Sequence, residues 1–196
     1  VADGSKQRTY DGYDKSDGLS PTVVTESIFM TGVVDAKERR NVAVLDIANA
    51  FLQADNDETV NMLLRGKLAE MMVRIDPALY REYVTYSANG VPMLYVRLSK
   101  ALYGMLRAAL LFYKRLRSTL EEMGFEINPY DPCVANMMVE GGQITVCWHV
   151  DDLKISHRDD AIVSEFAIAL ANEFGPKTTI SRGKVHDYLG MDLDFG

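Results

Sequence analysis

The chain has 196 residues, 47% of them apolar and 25% charged, with 28 acidic against 21 basic side chains and a net charge of -7. That balance suits one globular domain, or two lobes sharing a core, and excludes a disordered tail, a collagen-like chain and a disulfide scaffold. A dedicated nucleic-acid binder would usually be basic, and no run of about 18 apolar residues offers a membrane span.

The start, Val1-Ala2-Asp3-Gly4, is polar and lacks a methionine. It reads as cut from something longer, with no signal peptide. Residues 1–21 carry Gly4, Gly12, Gly18, Pro21 and mixed charges, the composition of an extended lead-in. The acidic stretch from Asp11 to Gly18 fails calcium-loop spacing, because Tyr13 and Lys15 stand where ligands would be needed. Thr25 to Ala36 reads as a helix with Ile28, Phe29, Val33 and Ala36 near one face. Asn41 to Ile47 is a buried strand whose charged end is Asp46, and Ala48 to Leu52 turns into a brief helix. Asn61 to Leu64 reads as a strand. Lys67 to Ile75 and Pro77 to Tyr83 read as helices, with Pro77 in a first turn. After the Asn89-Gly90 turn comes a strand at Leu94 to Leu98.

The clearest helix runs from Arg107 to Met123. Leu106, Leu110, Tyr113, Leu116, Leu120 and Met123 form one stripe, and Gly124 stops it. Val134 to Glu140 and Gln143 to Val150 read as a hairpin about Gly141-Gly142. Ile144, Val146, Trp148 and Val150 then share one face, with Trp148 in the core. Thr145, Cys147, His149 and Asp151 share the other. This register sets Cys147 opposite Asn136, so no disulfide to Cys133 is expected, and unpaired thiols suit a reducing compartment. Leu153 to Ser156 is a further strand. Asp159 caps a helix that ends at Phe174 before Gly175-Pro176, and Lys177 to Ile180 and Tyr188 to Phe195 are the last strands. Helices and strands interleave around one sheet, which is α+β or α/β.

Two acidic sites stand out. Asp46 closes an apolar strand, and Asp151-Asp152 sits between Val150 and Leu153. Ionised carboxylates in such settings are costly unless paired or metal-bound, although strand ends also emerge into solvent. Hard oxygen ligands from two segments suit magnesium, and paired ions drive in-line phosphoryl transfer. His149, His157 and His186 show no metal spacing, and no phosphate-cradling glycine loop is present. From Leu94 to Leu120 six basic residues (Arg97, Lys100, Arg107, Lys114, Arg115, Arg117) occur with no acidic one, either an anion-facing surface or a solvated helix face.

The order of several short motifs adds to this. Asp17 to Val23, Val44-Leu45-Asp46-Ile47-Ala48-Asn49-Ala50-Phe51-Leu52, Leu98-Ser99-Lys100-Ala101-Leu102-Tyr103-Gly104, Gly124-Phe125, Asp131-Pro132-Cys133, Val150-Asp151-Asp152-Leu153 and Tyr188-Leu189-Gly190-Met191 follow one another. The set resembles the reverse transcriptase domain of copia-type LTR retrotransposons, almost end to end. The resemblance implies an α+β polymerase palm with a ferredoxin-like βαββαβ antiparallel sheet and part of the fingers. Residues 1–40 would be a fingers lead-in and 41–196 the palm with a fingers insertion. The thumb and RNase H regions would lie outside the fragment.

The implied activity is RNA-directed DNA synthesis from deoxynucleoside triphosphates on a primed RNA or DNA template. Asp46, Asp151 and Asp152 would hold two Mg2+ ions, or Mn2+, with the Ile47 carbonyl assisting. Asn49 and Ala50 would offer backbone N–H groups to the triphosphate, Phe51 would be the sugar gate, and Arg107 would contact the nucleotide. Leu189, Gly190 and Met191 would touch the primer. The remaining partners implied are the rest of the Gag-Pol polyprotein and a second copy, in a cytoplasmic virus-like particle whose complex can enter the nucleus, with no membrane. Two positions depart from the family: His149 replaces a usual Tyr, and Arg107 replaces a Gln, giving a charged fork in place of an amide. A catalytically inactive relic, or an interaction module adopted from the same fold, is the competing reading.

Overall fold

The computed structural model of the chain describes residues 2–4, 7 and 18–196. Most of the expected lead-in, including Asp17 and the acidic stretch tested as a calcium loop, lies outside the described residues. A helix at Thr25–Glu38 (α1) precedes the strand Asn41–Asp46 (β1). A 3-10 turn at Ala50–Gln53 leads to a long strand, Asp55–Arg65 (β2), and to the helices Lys67–Ile75 (α2) and Pro77–Tyr80 (α3). The strands Thr85–Tyr86 (β3) and Pro92–Lys100 (β4) follow, then the helix Ala108–Glu122 (α4). Next come Glu126–Ile127 (β5), Val134–Val139 (β6), Gly142–His149 (β7) and Asp152–His157 (β8). The chain closes with the helix Asp160–Phe174 (α5) and the strands Thr179–Gly183 (β9), Val185–Tyr188 (β10) and Met191–Asp194 (β11).

The strands form a six-stranded antiparallel sheet in the order β5-β6-β7-β8-β1-β9, a three-stranded sheet β2-β4-β3, and the hairpin β10-β11. β1 reads as a continuous apolar run because both its faces are covered. Ala43, Leu45, Val146, Trp148, Leu153 and Ile155 share one face, and all are at most 1% exposed. Helices α4 and α5 pack there, with the Tyr113 ring 6.4 Å from Trp148 and the Phe112 ring 5.9 Å from Phe174. The buried side of α4 is Ala108, Leu111, Phe112, Tyr113, Leu116 and Leu120, so Leu110 of the expected stripe sits at its margin.

The opposite face is polar. It carries Lys154, Ser156, Thr145 and Cys147, and α1 meets it through charge. Asp35 pairs with Lys154, both fully buried. Arg40 donates to Thr145 Oγ1 at 3.1 Å and Ser156 Oγ at 3.5 Å, and Asp131 Oδ2 accepts from the Val24 N–H at 3.1 Å. This overturns the apolar face expected for the helix. Ile28 is buried, but Phe29 and Val33 are 58% and 66% exposed, and Ala36 is exposed too. An unpaired buried ammonium at Lys154 would cost several kcal/mol, so pairing Asp35 with it outweighs burying those apolar side chains.

Other boundaries move for local reasons. β2 extends well beyond Asn61–Leu64, because its polar first half pairs with the end of β4 across a bulge between Asp55 and Val60. The hairpin turn is Glu140-Gly141, with Gly141 at φ 82°, so Cys147 faces Val134 and both cysteines remain free and buried. The final strands differ too. Lys177–Ile180 shifts to β9, and the expected single strand over Tyr188–Phe195 is largely the second arm of a hairpin. Leu189 and Gly190 make its turn, both at positive φ, the geometry that suits a tight hairpin. Asp159 caps α5 through the Ala161 N–H at 2.9 Å, and Pro77 occupies the first turn of α3, as read from the sequence.

Leu120 is fully buried on α4. Leu120→Ala should cost about 2–5 kcal/mol in chemical denaturation. Unchanged unfolding would show that the α4 contact does not hold the sheet.

Candidate active site at the end of the central sheet

β1 ends on Asp46, which pairs with Asp152, the first residue of β8; Asp152 in turn pairs with His149, the last residue of β7. Directly paired residues of antiparallel strands point to the same face, with Cβ atoms about 4.5–5.5 Å apart. Asp46, Asp152 and His149 therefore lie side by side across three strands. The β7–β8 turn is Val150-Asp151, and Val150 sits at φ 57°, a costly conformation for a β-branched residue. The Asp151 carbonyl accepts the Ile47 N–H at 3.0 Å, which ties the turn to the chain leaving β1. Ile47 is fully buried. The structure thus brings Asp46, Ile47, Asp151 and Asp152 to one sheet end.

Burial raises the Asp152 carboxyl above its usual range. The charges of Asp151 and Asp46 push it further, with a smaller push from Asp187, while His149 opposes the rise. Among the described residues, none of Asp46, Asp151 and Asp152 forms an ion pair with a Lys or Arg. Nor, among them, is any group of three or more His, Cys, Asp or Glu arranged to hold a metal ion as it stands. The donor chemistry nevertheless fits a divalent cation: hard oxygens, mutually repelling, with no Lys or Arg paired to them among the described residues.

The turn after β1 supplies a second wall. Asn49 lies at φ 55°, Ala50 is fully buried, and the Leu52 N–H donates to the Asn49 carbonyl at 2.9 Å. Phe51 projects from this turn against Tyr103, their ring centroids 4.3 Å apart at 38°. Partial burial raises the Tyr103 hydroxyl, and the charges of Asp151 and Asp46 add to it; contact with the Ala50 backbone opposes the rise. Tyr103 had no role assigned from the sequence, although it lies inside the Leu102-Tyr103-Gly104 motif. Its carbonyl accepts the Ala2 N–H at 2.6 Å. The next residue must be glycine: Gly104 is at φ 96°, and a Cβ there would sit 1.8 Å from the Ala2 oxygen.

Arg107 is placed differently from the expectation of an open nucleotide contact. Its guanidinium pairs with Asp57 at 2.8 Å and Glu58 at 3.5 Å, at the junction of β2 and α4. Four of the other five basic residues of that stretch behave alike. Lys100 pairs with Asp55, Lys114 stands 3.9 Å from Asp57, Arg115 pairs with Glu173, and Arg117 pairs with Glu121. The basic stretch at 94–120, open between an anion-facing surface and a solvated helix face, is thus largely turned to intramolecular partners. Most of these come from β2 and α5, too far along the chain to be seen in a local charge count.

Leu189, Gly190 and Met191 form the tip of the β10–β11 hairpin. Tyr188 pins that hairpin to the aspartate-bearing face of the sheet, its hydroxyl donating to the Cys147 carbonyl at 3.3 Å. A cavity of about 530 Å3 opens farther along this face, lined by α1 residues such as Met30 and Asp35 and by Asn136 and Thr145, and includes none of the three aspartates.

Residues 1–195 match the family described as Reverse transcriptase (RNA-dependent DNA polymerase). The chain belongs to that family. It is 26% identical over 192 residues to the retrovirus-related Pol polyprotein from transposon RE2 of Arabidopsis thaliana, covering 98% of this chain and 12% of that protein. It is 24% identical to the corresponding polyprotein from transposon TNT 1-94 of Nicotiana tabacum, covering 98% and 13%. The chain therefore spans about an eighth of the length of these relatives. Among solved structures it is similar to apo telomerase from Candida tropicalis, with TM-score 0.48, 9% identity, and coverage of 97% of this chain and 37% of that one. Among the described residues of this reverse transcriptase domain, no helix is long and apolar enough to cross a membrane.

The crowded carboxylates have a measurable cost. With its folded pKa raised, Asp152 favours folding when protonated at low pH, and this contribution is lost as pH rises through the folded value. Asp152→Asn should therefore raise the melting temperature of the metal-free reverse transcriptase domain at pH 7. The gain should disappear near pH 3. Equal melting of parent and variant at both pH values would remove the repulsion from the account.

Proposed function

We propose that this domain is the polymerase core of a copia-type retrotransposon Pol polyprotein, adding deoxynucleotides to a primer 3′-hydroxyl on an RNA or DNA template. The observation that carries the reading is the pairing of Asp46 with Asp152, with Asp151 in the adjoining turn. The connection β1–α4–β7–β8–α5–β9, with spatial order β7-β8-β1-β9, supports a ferredoxin-like βαββαβ palm. The separate β2-β4-β3 sheet with α2 and α3 suits a fingers insertion, and the segment before β1 a partial fingers lead-in. Thumb and RNase H functions then belong to other parts of the polyprotein.

In this reading Asp46, Asp151 and Asp152, with the Ile47 carbonyl, hold two Mg2+ ions, for which Mn2+ can substitute. When bound, the ions would acidify the primer hydroxyl and offset charge developing at the α-phosphate. The chain's own residues position the reactants. The left-handed Asn49 and the buried Ala50 aim backbone N–H groups toward the triphosphate, Phe51 blocks a ribose 2′-hydroxyl, and the Leu189-Gly190-Met191 tip steadies the primer. Arg107, held by Asp57 and Glu58, serves the nucleotide site by joining the fingers insertion to α4. Template, primer and nucleotides are the substrates; the rest of the polyprotein and a second copy are the partners, within a cytoplasmic particle.

The test is primer extension on an RNA template by the polyprotein containing this domain. Asp151→Asn should lower extension by about 100-fold or more, with folding retained. Full activity in that variant would refute the assigned roles. A parent protein that folds but never extends a primer would favour the inactive relic or interaction module.

A further inference from the structure

We propose that Tyr103 is a specificity-determining residue that braces Phe51 and thereby sets how strictly the site rejects ribonucleotides. The inference rests on the polymerase reading above and adds to it a residue with no role assigned from the sequence. A gate that works by clash must be stiff, because a ring free to tilt by about 1 Å would admit an extra hydroxyl. Phe51 stands on a four-residue 3-10 turn and packs at the margin of the core, only partly buried, so its outer face depends on a neighbour for lateral support. That neighbour is Tyr103, whose ring lies 4.3 Å from it, centroid to centroid, at 38°.

Tyr103 is itself held through its backbone. Its carbonyl is bonded to the Ala2 N–H, and Gly104 allows a backbone approach that any Cβ would block. Arg107, four residues later, is directed instead to Asp57 and Glu58. Within that segment Tyr103 is the residue whose ring meets Phe51.

The test uses the full polyprotein and compares the parent with Tyr103→Ala, Tyr103→Phe, Phe51→Ala and the Phe51→Ala/Tyr103→Ala double variant. Two quantities are read with dTTP and UTP: affinity by calorimetry, and incorporation opposite a template adenine. Tyr103→Ala should lower the preference for dTTP over UTP about tenfold while dTTP incorporation stays within a few fold. Tyr103→Phe, which keeps the ring, should preserve the preference within about twofold. The double variant should discriminate no worse than Phe51→Ala alone, as expected of two side chains acting as one unit. Should Tyr103→Ala melt far below the parent, Tyr103→Leu keeps volume without the flat face and carries the same expectation. Parental discrimination in Tyr103→Ala or Tyr103→Leu, alongside its loss in Phe51→Ala, would overturn the bracing role while leaving the gate in place. Unchanged discrimination in every variant would remove both, and a parent that neither binds nor incorporates dTTP would overturn the polymerase reading and this inference with it.

Discussion

Antiparallel pairing of Asp46 with Asp152 forces two carboxylates onto one face at one sheet end, and much of the molecule is arranged around that crowding. Neither strand can slip by one residue without turning its acid to the opposite face and exposing Leu45 or Leu153, both fully buried. The register is thus held by the core, and the core in effect holds the carboxylates. The turn between β7 and β8 adds Asp151 at the cost of a left-handed Val150, and the Asp151 carbonyl anchors that turn to Ile47. Burial raises Asp152, and the repulsion that adds to it is the same property that suits the cluster to a divalent cation.

The polar face beneath the cluster is secured differently from the apolar one. Lys154 follows Asp152 by two residues and points to the same side, yet its ammonium is committed to Asp35 on α1. Arg40 is likewise bonded to Thr145 and Ser156. These bonds hold α1 over the sheet through charge and leave Phe29 and Val33 in solvent.

Features set by local pattern were legible from the chain alone. β1, α4, α5 with its Asp159 cap, and the burial of Trp148 follow from apolar runs, helical spacing and capping chemistry. The acids at 46, 151 and 152 stood out because they interrupt apolar strands, and the order of the motifs placed the chain in its family. What was not legible depends on partners far along the chain. The buried side of α1 is chosen by Lys154, more than a hundred residues away. The engagement of Arg107 by Asp57 and Glu58 requires β2 to lie beside α4, and β2 itself begins in a polar stretch with no strand pattern. The Cys147 register shifted by two residues because the turn uses Glu140-Gly141, a choice the adjacent glycine pair concealed. Tyr103 was hidden inside a motif that reads as a turn, and only its tilted ring contact with Phe51 marks it.

The central claim is that Asp46, Asp151 and Asp152 form one divalent-cation site, and a manganese titration followed by electron paramagnetic resonance tests it most directly. The parent domain should bind Mn2+ saturably, up to about two ions per chain. Asp46→Asn and Asp152→Asn should each abolish or sharply weaken that binding. Asp187→Asn, which removes only a neighbouring charge, should leave the stoichiometry unchanged. Equal Mn2+ binding by the parent, Asp46→Asn and Asp152→Asn would contradict the account.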